Sequence, residues 1–179
     1  MQRVSVVGTS GSGKTSLARA LGARLGVEHV ELDALFHQPG WEPLPTPRFR
    51  EVVAERCAAD AWVVEGNYSA VRDLVWARAD TVVVLDLPRR TVMRQVITRT
   101  VRRTVTREEL WNGNREPWSN LWALHDRERS VVRWAWDAYP KNRARYRAAA
   151  ADPAHRDLRF VFLRSRREMD AFAADATSG

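Results

Sequence analysis

The sequence predicts one α/β domain spanning residues 1–179, a five-stranded parallel sheet with helices on both faces. Three observations lead there. Short valine-rich runs alternate with stretches in which apolar residues recur at helical spacing. Gly8, Asp33, Glu65 and Asp86 each stand at the carboxyl end of such a run, the edge of a parallel sheet where ligands bind. Between the first run and the first helical stretch, residues 8–15 read Gly8-Thr9-Ser10-Gly11-Ser12-Gly13-Lys14-Thr15, a complete G-x-x-x-x-G-K-[ST] motif.

The elements follow in order. Arg3 to Val7 is a short buried strand. Lys14 to Leu25 is a helix with Leu17, Ala18, Leu21 and Leu25 on one face and Gly26 as its stop. His29 to Leu32 reads as the second strand, delivering Asp33. Residues 38–47, rich in proline and glycine, form a loop. Arg48 to Ala59 is helical, and Ala61 to Val64 is the third strand, with Glu65-Gly66-Asn67-Tyr68 at its tip. Thr81 to Leu85 is the fourth strand, ended by Asp86 and Pro88. Thr91 to Val105 is a long helix whose apolar row is Met93, Ile97, Val101 and Val105. Two arginine rows flank it: Arg90, Arg94 and Arg102, then Arg99, Arg103 and Arg107. The pattern weakens from Thr106 to Asp126. Helices run from about Glu128 to Ala151, interrupted near Pro140, and Leu158 to Leu163 and Arg166 to Ala174 are the last strand and helix.

The motif sets the ligand class. Its glycines let the backbone curve so that successive N–H groups converge on phosphate oxygens, beside the positive end of the following helix. The residues for this cradle are Gly8, Thr9, Ser10, Gly11, Ser12, Gly13, Lys14, Thr15 and Ser16. Lys14 reaches the outer phosphates and the Thr15 hydroxyl ligates magnesium, so the motif implies ATP with Mg²⁺. Of 29 basic residues only Lys14 and Lys141 are lysines. A chain that otherwise uses arginine keeps a compact point charge at this one place.

Composition narrows the setting. No stretch approaches the roughly 20 apolar residues of a membrane span. The lone Cys57 excludes an internal disulfide or a multi-cysteine metal site and reads as a core residue. With no room for a signal peptide before the first strand, the expected setting is cytoplasmic. His37 and His125 stand alone, without metal-ligand spacing. The net charge of +7 is concentrated: residues 88–147 hold 14 arginines and one lysine against six acids. Such a segment suits a local anionic ligand, either nucleotide phosphates or nucleic acid.

The order of these pieces resembles the adenylate kinase-like branch of P-loop proteins over nearly the whole chain. That resemblance implies a P-loop NTPase three-layer sandwich with strand order 2-3-1-4-5 and a helical lid. More narrowly, Leu32-Asp33-x-Leu35-Phe36, Pro39-Gly40-Trp41 and Trp62-x-x-Glu65-Gly66-Asn67-Tyr68 resemble a bacterial subgroup termed DNA topology modulation proteins or adenylate kinase-related proteins. The resemblance implies a kinase whose lid, a lid-like insertion at about 104–127, carries phosphate-clamping arginines. Arg99, Arg102 and Arg103, on the helix that follows the fourth strand and leads into this insertion, are the candidates, with Arg107 and Arg115 farther out. Glu65 and Asp86 compete for the magnesium side. Family topology favours Glu65, leaving Asp86 to orient loops or arginines. Asp33 faces the acceptor side, where an acid in similar small-metabolite kinases contacts the acceptor hydroxyl and can act as general base. The plainer reading of Asp33 is a helix cap.

Two departures bear on the acceptor. Where adenylate kinases place an adenine-stacking arginine, this chain has Gln95, with Arg94 one place earlier. Gly66-Asn67-Tyr68-Ser69 replaces the Gly-Phe-Pro-Arg tip, so the usual adenosine monophosphate signature is absent, and Arg72 is a candidate substitute. Trp111, Trp118, Trp122, Trp134 and Trp136 lie among arginines; they either pack a lid or offer a stacking surface to single-stranded nucleic acid. The expected activity is transfer of the γ-phosphate of ATP to a small-molecule or nucleotide acceptor. The alternative is a nucleotide-dependent nucleic-acid-binding protein.

Overall fold

The computed structural model describes residues 1–116 and 131–177. Five strands, β1 (Arg3–Gly8), β2 (Glu28–Glu31), β3 (Trp62–Glu65), β4 (Thr81–Leu85) and β5 (Arg159–Leu163), form one sheet. All pairings are parallel, in the order β2-β3-β1-β4-β5, the order expected. The central strands are buried on both faces, which is why they read as valine runs rather than alternating patterns.

One face of the sheet packs Val4, Val6, Val63 and Val83 against α1 (Lys14–Leu25), α5 (Arg89–Thr106) and α7 (Arg166–Ala174). The other packs Val64, Val82 and Val84 against α3 (Thr46–Cys57), α4 (Arg72–Arg78) and the C-terminal half of α6 (Val131–Ala151). Trp62 is fully buried there, its indole N–H donating to the Cys57 carbonyl at 3.3 Å. Cys57 itself is buried, and burial pushes its thiol up to about 11. Gly26 ends α1 in the left-handed conformation.

Several local expectations are corrected. The second strand ends one residue early, at Glu31, so Asp33 stands just past it in a short helix, α2 (Leu32–Phe36). Residues 38–47 contain a 3₁₀ turn, Pro39–Trp41, and α4 was not anticipated at all. The buried face of α5 is Val92, Met93, Val96, Thr100 and Thr104; of the expected row only Met93 is buried, whereas Ile97, Val101 and Val105 are about half exposed. Threonine reads as polar in a hydropathy pattern, yet the Thr104 hydroxyl donates to the Thr100 carbonyl at 2.9 Å and so tolerates burial.

The expected break near Pro140 is also absent, and α6 runs through it. Proline lacks the N–H that would bind the Trp136 carbonyl. Arg89 supplies that donor, its Nη2 reaching the Trp136 oxygen at 3.0 Å while the guanidinium lies 3.4 Å from the Trp136 ring centroid. Of the lid-like insertion, residues up to 116 are described; Trp118, Trp122 and His125 lie outside the described residues.

Candidate active site

The phosphate-loop motif turns from the end of β1 into α1. Gly11 is held at φ 79°, a left-handed conformation, and any Cβ there would collide with Val96 of α5. The loop is therefore clamped against the arginine-bearing helix. The first turn of α1 supplies N–H groups without intrahelical acceptors. On the strand side, Asn67 grips the loop's first residue. Its Oδ1 accepts from the Gly8 N–H at 3.1 Å and its Nδ2 donates to the Gly8 carbonyl. The Tyr146 hydroxyl of α6 donates to the same Oδ1 at 2.8 Å.

These pieces open onto a cleft of about 1370 Å³ lined by the loop, Asp33, Glu65, Tyr68, Arg99, Arg102, Arg103 and Trp111. Lys14 Nζ donates to the Thr9 carbonyl at 3.4 Å. Burial lowers the Lys14 pKa, and the Glu65 and Asp33 charges partly oppose that shift. Glu65 is buried at the end of β3, and desolvation raises its pKa to about 7 against the pull of Lys14 and Thr15. The Thr15 side chain lies within hydrogen-bonding reach of the Glu65 carboxyl. A hydroxyl beside a buried acid at the foot of a phosphate cradle suits the hard, oxygen-liking Mg²⁺ ion.

Asp86 is elsewhere. It faces α6, with Arg143 Nε at 2.9 Å and Arg147 Nη2 at 3.1 Å from its two oxygens, and it does not line the cleft.

The three arginines expected at the phosphates are not equivalent. Arg99 reaches the loop, Nη2 donating to Ser10 Oγ at 2.7 Å. Arg103 lies 3.6 Å from Glu116 and 5.9 Å from the Trp111 ring centroid. Arg102 lines the rim, largely exposed, and pairs with Glu108 at 2.8 Å. Among the described residues, the buried atoms Ser12 Oγ, Arg99 Nε and Arg103 Nε have no hydrogen-bond partner. Arginines lining one cleft with the loop, with donors still unpaired, fit an anionic ligand. Arg107 ends α5 and Arg115 pairs with Glu109; neither lines the cleft. Arg72 packs over Trp76, also away from it.

Across from the loop, Tyr68 Oη donates to Asp33 Oδ1 at 2.7 Å, with His37 Nε2 3.4 Å from the same hydroxyl. Packing of the Tyr68 ring on Phe36 and Phe49 fixes that geometry. The segment after α5 folds onto this wall. Asn112 Nδ2 donates to the Ala34 and His37 carbonyls, and Asn114 joins the Gln38 carbonyl and the Trp41 N–H. Asn112-Gly113-Asn114, which falls where the helical pattern of the sequence weakens, is here a stitch. Trp134 and Trp136 are about half exposed, so neither is core, although Trp134 borders the cleft.

No protein-family model matches the sequence, and no curated protein matches it. Solved structures do. A gluconokinase from Sinorhizobium meliloti 1021 is 19% identical with a TM-score of 0.53, covering 97% of this chain and 91% of that one. A shikimate kinase from Bacteroides thetaiotaomicron is 13% identical with a TM-score of 0.55, covering 97% and 94%. At such identities the likeness is one of fold, and the chain has the three-layer P-loop fold of these kinases over nearly its whole length.

Proposed function

We propose that the protein is an ATP-dependent phosphotransferase that moves the γ-phosphate of ATP to a hydroxyl of a small acceptor. One observation carries this reading: the phosphate loop with Lys14 and the acid–tyrosine pair Asp33–Tyr68 face each other across one cleft, and Arg99 contacts the loop between them. Phosphoryl transfer asks a protein mainly to position two groups in line and neutralise charge.

Lys14, Arg99 and the loop amides would hold the β- and γ-phosphates, and Arg103 and Arg102 would close the outer side. Mg²⁺, held by Thr15 with Glu65 acting through water, would screen the phosphate charge. Asp33 Oδ1 is occupied by Tyr68, which leaves Oδ2 to accept the proton of the acceptor hydroxyl.

The neighbours' titles, gluconokinase and shikimate kinase, name small-molecule acceptors, and this supports the same class here. The reading includes kinship with the DNA topology modulation subgroup, whose motif residues Asp33, Trp41, Asn67 and Tyr68 all line this cleft. It also includes a cytoplasmic setting; among the described residues no helix is long and apolar enough to cross a membrane. Against the nucleic-acid alternative, several arginines of the basic segment are held by internal partners. Arg143 and Arg147 serve Asp86, Arg89 serves Trp136, and Arg102 and Arg115 serve Glu108 and Glu109.

A screen of hydroxylated metabolites, nucleosides and nucleotides for acceptor-dependent ADP release tests the reading. Release raised by a small acceptor supports it. Release raised only by DNA or RNA, and falling steeply with salt, selects the alternative.

A further inference from the structure

Behind the phosphate loop runs a short chain of contacts that the proposed transfer does not itself use. Tyr146 of α6 is fully buried and does not line the cleft. Its hydroxyl donates to Asn67 Oδ1 at 2.8 Å. Asn67 in turn holds the two peptide planes on either side of the Gly8 Cα. Oδ1 accepts from the Gly8 N–H at 3.1 Å, and Nδ2 donates to the Gly8 carbonyl. Both lone pairs of Oδ1 are thereby filled, and the amide has a single orientation, since turned over it would set its own N–H groups against the Gly8 N–H. Burial pushes the Tyr146 phenol up to about 12, which keeps it a donor.

Gly8 is a place where a small displacement is felt. It stands at φ 150°, and a Cβ there would lie 2.8 Å from Ser12 Oγ and 2.9 Å from Leu85 Cβ. Its carbonyl shares a rigid peptide plane with the Thr9 N–H. The next carbonyl, that of Thr9, accepts from Lys14 Nζ at 3.4 Å and from the Ser12 N–H at 3.1 Å. The setting of the Gly8 peptide therefore reaches the phosphate-binding lysine within two residues. Gly8 and Thr9 share a small cavity of about 10 Å³ with Tyr139, Asn142, Arg143 and Tyr146, so α6 lies directly behind the loop. A loop already held in its binding shape loses less freedom when phosphates arrive.

Resting on the donor-site part of the phosphotransferase reading, we propose that Tyr146 is a positioning residue for the donor phosphates, acting through Asn67 on the Gly8 and Thr9 peptides and so on Lys14. It touches no ligand itself. Arg147, its neighbour on α6, serves a different end: it anchors the helix to Asp86, which lies outside the cleft. The two side chains thus separate aiming the loop from holding the helix.

The test uses the full chain with Mg²⁺ and two probes, a non-hydrolysable ATP analogue and inorganic tripolyphosphate, with Kd read by titration calorimetry beside the midpoint of thermal unfolding. Tyr146→Phe keeps the ring and removes only the O–H. It is expected to weaken both probes by the same factor, about five- to tenfold, roughly the loss of one hydrogen bond. Arg147→Gln is expected to lower the midpoint while both affinities stay at the parent value. In an Asn67→Ala background, adding Tyr146→Phe should change either Kd by less than about twofold, because the link is already cut. Hydrogen exchange reads the same link without the double variant: in ligand-free Tyr146→Phe the Gly8 amide should exchange faster while the β4 amides keep their protection. Parent affinity in Tyr146→Phe, an unchanged factor once Asn67 is replaced, loss confined to the ATP analogue, or an equal loss in Arg147→Gln overturns the proposal. A parent chain that binds neither probe defeats the donor-site reading itself. Binding of both probes that follows this pattern, without transfer to any acceptor, defeats the phosphotransferase reading and leaves the role of Tyr146 standing.

Discussion

Glu65 is the residue whose environment makes the sharpest statement about pH. A buried carboxylic acid with its pKa raised to about 7 holds its proton more tightly in the folded chain than in the unfolded one. Its contribution to stability is therefore full below the ordinary carboxylate range and is lost as pH rises through about 7. The nucleotide-free protein should show a midpoint of thermal unfolding that falls across that window, and Glu65→Gln should flatten the fall; scanning calorimetry on both chains checks it. The same ionisation should favour Mg²⁺-dependent nucleotide binding above about pH 7. Asn67 offers a second residue-scale expectation. Removing its three hydrogen bonds in Asn67→Ala should cost about 1–3 kcal/mol in denaturant unfolding and raise the KM for ATP, because the loop's first residue loses its grip. Glu65 is legible in the sequence because it ends a valine run. Asn67 is not, because nothing in a linear reading shows that an amide after β3 will pair with the Gly8 backbone 59 residues earlier.

The helices show where periodicity misleads. In α5 two apolar rows lie side by side, and hydropathy selects Met93, Ile97, Val101 and Val105 over the row containing Thr100 and Thr104. The deciding contact is tertiary: Val96 packs on Gly11, which turns Arg99 toward the loop. Proline misleads in the same way in α6, because the compensation for Pro140 comes from α5. Arg89→Ala should therefore weaken two elements at once, lowering stability in urea by about 1–3 kcal/mol, the usual cost of a charge-assisted hydrogen bond. Helix content by circular dichroism should drop if α6 frays at Pro140. Arg90→Ala, an exposed neighbour, serves as the control, with no comparable loss expected.

For the whole molecule, the parallel sheet with helices on both faces was readable from valine runs, a motif at a strand end and acids at the same edge of the sheet, and the strand order came from the family resemblance those pieces carry. The donor side was readable for the same reason, since one motif spells it out. Of the wall facing the loop, Asp33 was expected and the rest was not. It is assembled from α2, the 3₁₀ turn Pro39–Trp41, Tyr68 and the Asn112–Asn114 stitch, segments brought together only by folding. The account's central claim is that these two halves form one phosphoryl-transfer site. Following the γ-phosphate of labelled ATP in the presence of an acceptor found by the screen tests it most directly. The account predicts label on the acceptor, one for each ADP formed, and its loss in Asp33→Asn. Label appearing only as inorganic phosphate, with or without acceptor, would contradict it.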